Sequence, residues 1–165
     1  MRRFIAFVLV FSLVAELPCL AAVRGKSAKY VGGTISIYTE KQVDGKWDLE
    51  DEFLVFTPKK KELAPLKIAY ARIDSLEYGQ KVGRRLGAAI GMSLISPIGL
   101  LLLFSKKRKH FLSVGFKDNE DKLQGAVFEL AKSIVPESLQ TLESKSGKPI
   151  EYESDEARQH ATKGD

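Results

Sequence analysis

The feature that most constrains the fold of this chain is an apolar run near its middle. Leu86 to Phe104 reads LGAAIGMSLISPIGLLLLF and contains no charged residue. A run of this length just reaches the roughly 18 residues at which a transmembrane helix becomes a candidate, but Pro97 and several glycines interrupt it. The run could therefore span a membrane, fold back on itself, or be buried in protein.

Basic residues bracket the apolar run on both sides, and all of them lie within a few positions of it: Lys81, Arg84, Arg85, Lys106, Lys107, Arg108 and Lys109. If the run folds back, both groups reach one headgroup level, where each cation near an anionic surface contributes about 1 kcal/mol. We expect these residues to contact anionic lipid headgroups. The alternative is that they only flank a hydrophobic segment, as basic residues commonly do.

We expect the run to form a helical hairpin rather than one span. If the β-rich segments before and after it belong to one small domain, both ends of the run must lie on the same side of a bilayer. Pro97 with Ser96 offers the turn, and each arm is then too short to cross about 30 Å at about 1.5 Å per residue. The predicted insertion covers residues 83–105.

Three glycines in this region recur at every fourth position: Gly83, Gly87 and Gly91. That spacing places them on one helix face and lets another backbone approach closely, as in small-residue packing motifs of membrane helices. The partner could be the second arm of the hairpin or a second copy of the chain.

The first residues have the layout of a Sec-type secretory signal. Arg2 and Arg3 precede the apolar stretch 4–15, and a polar break leads to small residues at Ala21 and Ala22. We expect cleavage after Ala22 and a mature protein associated with the membrane of the cell envelope, on the periplasmic side. An uncleaved N-terminal anchor is the alternative.

Cys19 is the only cysteine. Pro18 directly before it does not fit the small residue that a lipid-modified cysteine requires, which disfavours a lipoprotein. If the signal is removed, the mature chain has neither a disulfide nor a thiolate nucleophile, so its core must hold by packing alone.

The segments around the apolar run have short β-like patterns. Five predicted strands share alternating or continuous apolar residues between turn residues: 34–39, 53–56, 66–70, 76–78 and 112–116, with 123–130 as the return strand of a hairpin. Asp44-Gly45 is typical of a turn, so Trp47 is expected to cover one end of the sheet. The parity of Ile73 predicts a bend or bulge near Arg72.

One amphipathic helix follows the strands. Val135, Leu139 and Leu142 recur at helical spacing, Pro136 suits a first helical position, and Gly147 suits the residue just past the end. Ile150 and Tyr152 predict a last short strand. The polar tail from Ser154 lacks apolar anchors and is expected to be disordered.

Parts of the chain resemble a known group of domains. LVF at 54–56, followed by KIAYARIDSLEYG at 67–79, is similar to the strand pattern of bacterial pleckstrin-homology-like and GRAM-type domains. EYGQKVGRRLG before the apolar run and KKRKHFLSVGF after it resemble exported bacterial proteins of that kind. The resemblance covers roughly Gly32 to Tyr152. It implies a fold and a membrane association but no substrate, because that group has no settled activity.

The expected fold is α+β and mainly β: a pleckstrin-homology-like small barrel of antiparallel strands with one C-terminal helix, plus the apolar hairpin inserted between strands. The expected organisation is a signal peptide at 1–22, this domain at 29–153 with its insertion at 83–105, and a tail at 154–165.

Little in the sequence points to catalysis or to metal binding. Only His110 and His160 are present, so a histidine metal site or a histidine-assisted nucleophile lacks partners. The acidic clusters 48–52 and 118–121 lack the alternating carboxylates and central glycine of a helix-loop-helix calcium site. We therefore expect no enzyme activity, no catalytic residue, no metal and no cofactor.

The net charge of +5 and the pI near 9.2 raise the alternative of nucleic-acid binding. Export and the concentration of positive charge beside apolar residues argue against it. We expect a non-enzymatic, membrane-associated binding or scaffold module whose partners are membrane lipids. The alternatives are a module that docks a protein or peptide at a strand edge, a homo-oligomer, and a single-span membrane protein.

Overall fold

The computed structural model describes residues 23–35, 38, 42–79 and 109–162. The predicted signal peptide at 1–22 and the predicted insertion at 83–105 lie outside the described residues. Among the described residues, no helix combines the length and the apolar character needed to cross a membrane.

The described part of the chain is mainly β. Its strands, in chain order, are β1 (Lys26–Gly33), β2 (Val43–Leu49), β3 (Phe53–Pro58), β4 (Leu66–Ala69), β5 (Ile73–Gly79), β6 (His110–Lys117), β7 (Leu123–Leu130) and β8 (Ile150–Tyr152). Its helices are α1 (Val135–Ser146) and α2 (Asp155–Thr162), and short 3₁₀ turns cover Tyr70–Arg72 and Lys132–Ile134.

The strands form one curled sheet in the order β4-β3-β2-β1-β7-β6-β5-β8. Two antiparallel meanders, β1 to β4 and β5 to β7, are joined where β1 pairs with β7. β8 extends the second meander by pairing parallel to β5. The predicted order of strands followed by a helix is thereby confirmed at the level of a mainly β, barrel-like sheet.

The main core fills the concave side of the sheet and is rich in aromatic side chains. The ring centroids of Trp47 and Phe128 lie 5.0 Å apart, and those of Tyr30 and Tyr38 lie 4.9 Å apart, all in edge-on arrangements. Edge-on packing of this kind is favoured over face-to-face stacking by the ring quadrupole. Trp47, expected to cover one end of the sheet, is instead fully buried in this core.

α1 closes the core as the sequence predicts. Pro136 lies in its first turn, and Gly147 ends it with φ of 67°, a left-handed conformation that a glycine adopts at little cost. Leu139 and Leu142 are buried on its inner face. The indole Nε1 of Trp47 donates a hydrogen bond of 3.2 Å to the hydroxyl of Ser138, which ties the helix to β2.

The first two strands differ from the prediction. β1 lies at Lys26–Gly33, before the predicted strand at 34–39. Of that predicted strand only residues 34, 35 and 38 are described, and none of them lies in a strand. The predicted turn at Asp44-Gly45 lies inside β2. Gly45 is required there because a Cβ would lie 2.5 Å from Cζ of Phe56. Gly45, which is typical of a turn in the sequence, therefore leaves space for the ring of Phe56 on the neighbouring strand.

The bend predicted near Arg72 is confirmed as the 3₁₀ turn Tyr70–Arg72 that links β4 to β5. The tail differs from the prediction of disorder, because Asp155–Thr162 forms α2 with Ala157 and Ala161 buried in the main core. Two small residues spaced by one helical turn were enough to anchor a segment whose other residues are polar. Residues 163–165 lie outside the described part.

Candidate functional site

The predicted basic and glycine residues are only partly placed by the structure. Lys81, Gly83, Arg84, Arg85, Gly87, Gly91, Lys106, Lys107 and Arg108 all lie outside the described residues. Lys109 is described and immediately precedes β6. The site can therefore be built from the two ends of the gap at 80–108 and from the sheet around them.

The chain leaves the sheet at the end of β5 and returns at the start of β6. These two strands are antiparallel neighbours, and Gly79 pairs directly with Phe111. The points of exit and return thus lie side by side at one end of the sheet. Antiparallel neighbours can be joined by a turn of about two residues, so the length of 80–108 exceeds by far what the connection requires.

Lys109 is held against the domain by an ion pair. Its Nζ lies 2.8 Å from Oε2 of Glu129 on β7, and the two side chains are only 24% and 20% exposed. Glu129 lies directly across from Phe111 in the sheet. Partly buried ion pairs are screened less by salt than exposed ones. The contact with Glu129 therefore holds Lys109 against β7, at the point where the chain returns to the sheet.

A second apolar cluster lies on the convex, outer face of the sheet. It consists of Val31, Phe111 and Val127, which are 4%, 2% and 8% exposed and do not belong to the main core. β6 alternates so that Leu112 and Val114 face the main core, which turns Phe111 outward. We call the three residues of this cluster the outer patch.

Polar residues border the outer patch at the exit of the chain. Ser113 and Glu77 face each other on β6 and β5, and both are buried, at 2% and 8% exposed. Further along the same face, the Lys29–Asp44 pair has side chains that are 43% and 53% exposed. On this face, the residues next to the exit are therefore more deeply buried than the Lys29–Asp44 pair.

Sequence reasoning missed the outer patch, although β6 carried a signal of it. HFLSVGF has apolar residues at both parities, which is typical of a strand that is buried on both faces. The prediction took only Leu112, Val114 and Phe116 as buried. The contribution of Val31 could not be read from the sequence, because it depends on the pairing of β1 with β7.

The lysines at 59–61 lie far from this site. They are exposed in the turn between β3 and β4, where the backbone N–H of Lys59 donates to the carbonyl of Asp44 at 2.8 Å. The strand order places this turn across the sheet from Gly79, with β2, β1, β7 and β6 between β3 and β5. These lysines therefore do not extend the basic bracket.

A cleft of about 450 Å³ opens beside the free edge of β4. Its walls come from β4, from the end of β6 and from the β6–β7 turn, and its lining mixes apolar and charged residues. Arg72 donates a hydrogen bond to the carbonyl of Asp118 and lies 3.2 Å from the carboxylate of Asp121. The guanidinium is thus engaged in closing the corner of the sheet.

Asp118 organises the turn beside this cleft. Its carboxylate accepts hydrogen bonds from the Gln124 side chain at 2.8 Å and from the backbone N–H groups of Glu120 and Lys122 at 2.8 and 3.0 Å. These hydrogen bonds, that of Gln124 foremost, lower the pKa of Asp118. Its arrangement is that of a turn-stabilising carboxylate.

His110 lies in the core side of β6, close to the point of return. Its Nδ1 lies 2.6 Å from the hydroxyl of Tyr78, and the two rings are stacked with centroids 6.2 Å apart. Burial raises the pKa of Tyr78 to about 12. Within the described ranges, no group of three His, Cys, Asp or Glu side chains is placed to hold a metal ion.

Comparison of the sequence with known protein families and with curated proteins returned no match. The geometry around the exit and return of the chain is therefore the basis for a proposed function.

Proposed function

We propose that this protein is a non-enzymatic, membrane-associated binding or scaffold module of the cell envelope. In this proposal the apolar segment 86–104 anchors the domain as a hairpin, and its basic flanks contact anionic lipid headgroups. The domain itself adopts a pleckstrin-homology-like barrel on the periplasmic side of the membrane.

The pairing of Gly79 with Phe111 is the observation that carries this proposal. Because both ends of 80–108 lie at one end of one sheet, a single crossing of the bilayer would have to separate two hydrogen-bonded strands. A segment that enters and leaves on the same side avoids that cost. The geometry thus favours a hairpin over a span.

The strand order supports the barrel type. Two meanders, β1 to β4 and β5 to β7, meet through β1 and β7, and a helix follows the last strand of the second meander. An order of strands followed by one C-terminal helix is what the resemblance at 54–56 and 67–79 implies. α1 then covers the core at the open side of the curled sheet, where Leu139 and Leu142 are buried.

Sedimentation with vesicles tests the lipid interaction. The full chain is expected to bind vesicles that contain anionic lipid more strongly than neutral ones, and added salt should weaken the difference because exposed charges are screened within about 8 Å at physiological ionic strength. Replacing Lys106, Lys107 and Arg108 by glutamine should lower binding to anionic vesicles while leaving binding to neutral vesicles unchanged.

A matched control is replacement of Lys59, Lys60 and Lys61 by glutamine. This variant removes the same charge from the β3–β4 turn, which lies across the sheet with four strands between β3 and β5, and should bind anionic vesicles as the parent does. Equal losses in the two variants would mean that net charge alone attracts the protein to the surface. No loss in the first variant would remove the basic flank from the proposal.

Docking of an extended peptide at a strand edge is a second candidate, and the free edge of β4 favours it. Among the described strands, β4 is the last of the sheet and pairs with β3 alone, and the cleft of about 450 Å³ lies beside it. An added strand would use the backbone groups of β4, and pockets beside the edge would accept alternate side chains. Retention of a protein partner after detergent extraction would favour this function over the lipid one.

A further inference from the structure

The burial of the outer patch is not explained by the proposed function. Phe111, Val31 and Val127 lie on the convex face of the sheet, yet they are as inaccessible as core residues. Within the described residues, the main packing contacts of both helices are with the 3₁₀ turns, with each other and with β8. Neither helix accounts for the burial of this patch.

We propose that residues 86–104 of the same chain pack against the outer patch, so that the domain is docked on its apolar segment rather than tethered to it by flexible links. The inference goes beyond the proposed function, and it does not require lipid. One face of the segment would lie on the sheet, and the other would remain for the membrane.

The position of the patch favours this occupant. Phe111 lies beside Gly79, where the chain leaves, and follows Lys109, where it returns, by two residues. The patch extends from β6 across β7 to β1, a width of two strand spacings or about 10 Å. A helical arm of about ten residues is about 15 Å long and would cover it.

The charges around the patch fit the same occupant. Glu77 and Glu129 lie on the outer face next to the exit, and Glu129 already pairs with Lys109. Lys109 is the last residue of the basic flank after the apolar segment, so this pair already brings one charge of that flank onto a carboxylate of the sheet. Apolar residues in the centre and opposite charges at the edges are the usual pattern of a stable protein contact.

The N-terminal apolar stretch is placed less well to cover the patch. The carbonyl of Val23 accepts a hydrogen bond of 2.8 Å from Leu49, and the N–H of Gly25 donates to the carboxylate of Asp48. These contacts continue the β1–β2 ladder before Lys26, so Val23 lies eight residues, or about 26 Å, along the strand from Val31. Its side chain is buried in the main core, on the other face of the sheet. Residues 1–22 therefore begin far from the outer patch.

Cysteine labelling tests the inference in the full chain. Cys19 is first replaced by serine, and single cysteines are then introduced as Val127→Cys in the patch and Asp44→Cys on the exposed part of the same face. Maleimide labelling in lipid-free detergent is expected to be at least about tenfold slower for V127C than for D44C, because labelling of a covered position requires local opening.

Further variants identify the segment that covers the outer patch. Replacement of residues 84–106 by a short Gly-Ser turn should make V127C label as fast as D44C, while D44C itself is unchanged. Far-ultraviolet circular dichroism and urea unfolding confirm that the shortened chain folds. In the full-length background, V127C should also form an intramolecular disulfide with at least one cysteine placed at Ile90, Leu94, Ile98 or Leu102, and D44C should form none.

Each remaining outcome overturns the inference. Fast labelling of V127C in the full chain means that the patch is open. Protection that persists in the shortened chain means that another part of the protein covers it. If V127C loses its protection from labelling when the protein is diluted, and its disulfides form between chains, a second copy of the protein covers the patch. Protection seen only with anionic vesicles assigns it to lipid, a result that would leave the proposed function standing.

Discussion

At the scale of single residues, the contact between sheet and helix depends on a buried hydrogen bond. Trp47 and Ser138 are both fully buried, and the indole N–H donates to the serine hydroxyl at 3.2 Å. Net hydrogen-bond contributions are modest, but a buried donor left without its acceptor loses its full solvation. Removing the acceptor should therefore destabilise the fold by more than the net free energy that the hydrogen bond contributes.

Replacing Ser138 by alanine should lower the free energy of unfolding by about 1–3 kcal/mol, because the Trp47 N–H would be buried without a partner. Urea denaturation followed by tryptophan fluorescence measures this change. Ser133→Ala, at an exposed position in the 3₁₀ turn before α1, is the control and should be close to neutral. Equal effects at the two serines would show that the hydrogen bond contributes nothing to stability.

Among the elements of the fold, the strands differ in whether one or both of their faces are buried. β2 alternates strictly, with Val43, Gly45, Trp47 and Leu49 inward. β6 is buried on both faces over most of its length. A strand of the first kind tolerates change on its outer face, whereas one of the second kind does not.

Gly45→Ala should be destabilising, because the new methyl group would lie 2.5 Å from the ring of Phe56 and 2.6 Å from the carbonyl of Thr57. Overpacking of this kind costs about 1–3 kcal/mol. Gly32→Ala is the matched control in β1, since a Cβ there meets nothing within 4 Å. Urea midpoints of both variants test the prediction, and a neutral Gly45→Ala would contradict the close packing of β2 on β3.

At the scale of the whole molecule, tyrosines distributed over both meanders make the fold sensitive to alkaline pH. Burial raises the pKa of Tyr38 and Tyr78 to about 12 and raises the pKa of Tyr30 and Tyr70 as well. In each case the buried phenol keeps its proton at a pH at which the same group in the unfolded chain, with a pKa of about 10, has lost it.

Stability should therefore be unaffected by these tyrosines below pH 10 and should fall as the pH rises from 10 to 12, because the unfolded chain releases protons that the folded chain retains. The urea midpoint measured between pH 9 and pH 12 tests this. Tyr38→Phe removes one such group, along with its hydrogen bond of 2.7 Å to the carbonyl of Ala64, and should reduce the slope of that fall. An identical slope in parent and variant would contradict the assignment.

The fold could be predicted where local signals were sufficient. The period of Val135, Leu139 and Leu142, with Pro136 before and Gly147 after, located α1, and the alternation in β6 and β7 located their hairpin. β2 was missed because Gly45 is typical of a turn when its partner Phe56 is unknown. α2 was missed because Ala157 and Ala161 are too small to give an apolar pattern until the surface that they contact is known.

Three features follow from local sequence alone, because each is a property of neighbouring residues: the charge bracket around 86–104, the amphipathic helix and the predominance of strands. Other features require the folded sheet: Gly79 and Phe111 lie side by side, Lys109 pairs with Glu129, and Val31, Phe111 and Val127 form one patch on the outer face. The place of Val31 in this patch depends on β1 pairing with β7, two strands that are far apart in the chain. Such a pairing follows from burial of the whole sheet rather than from any local pattern.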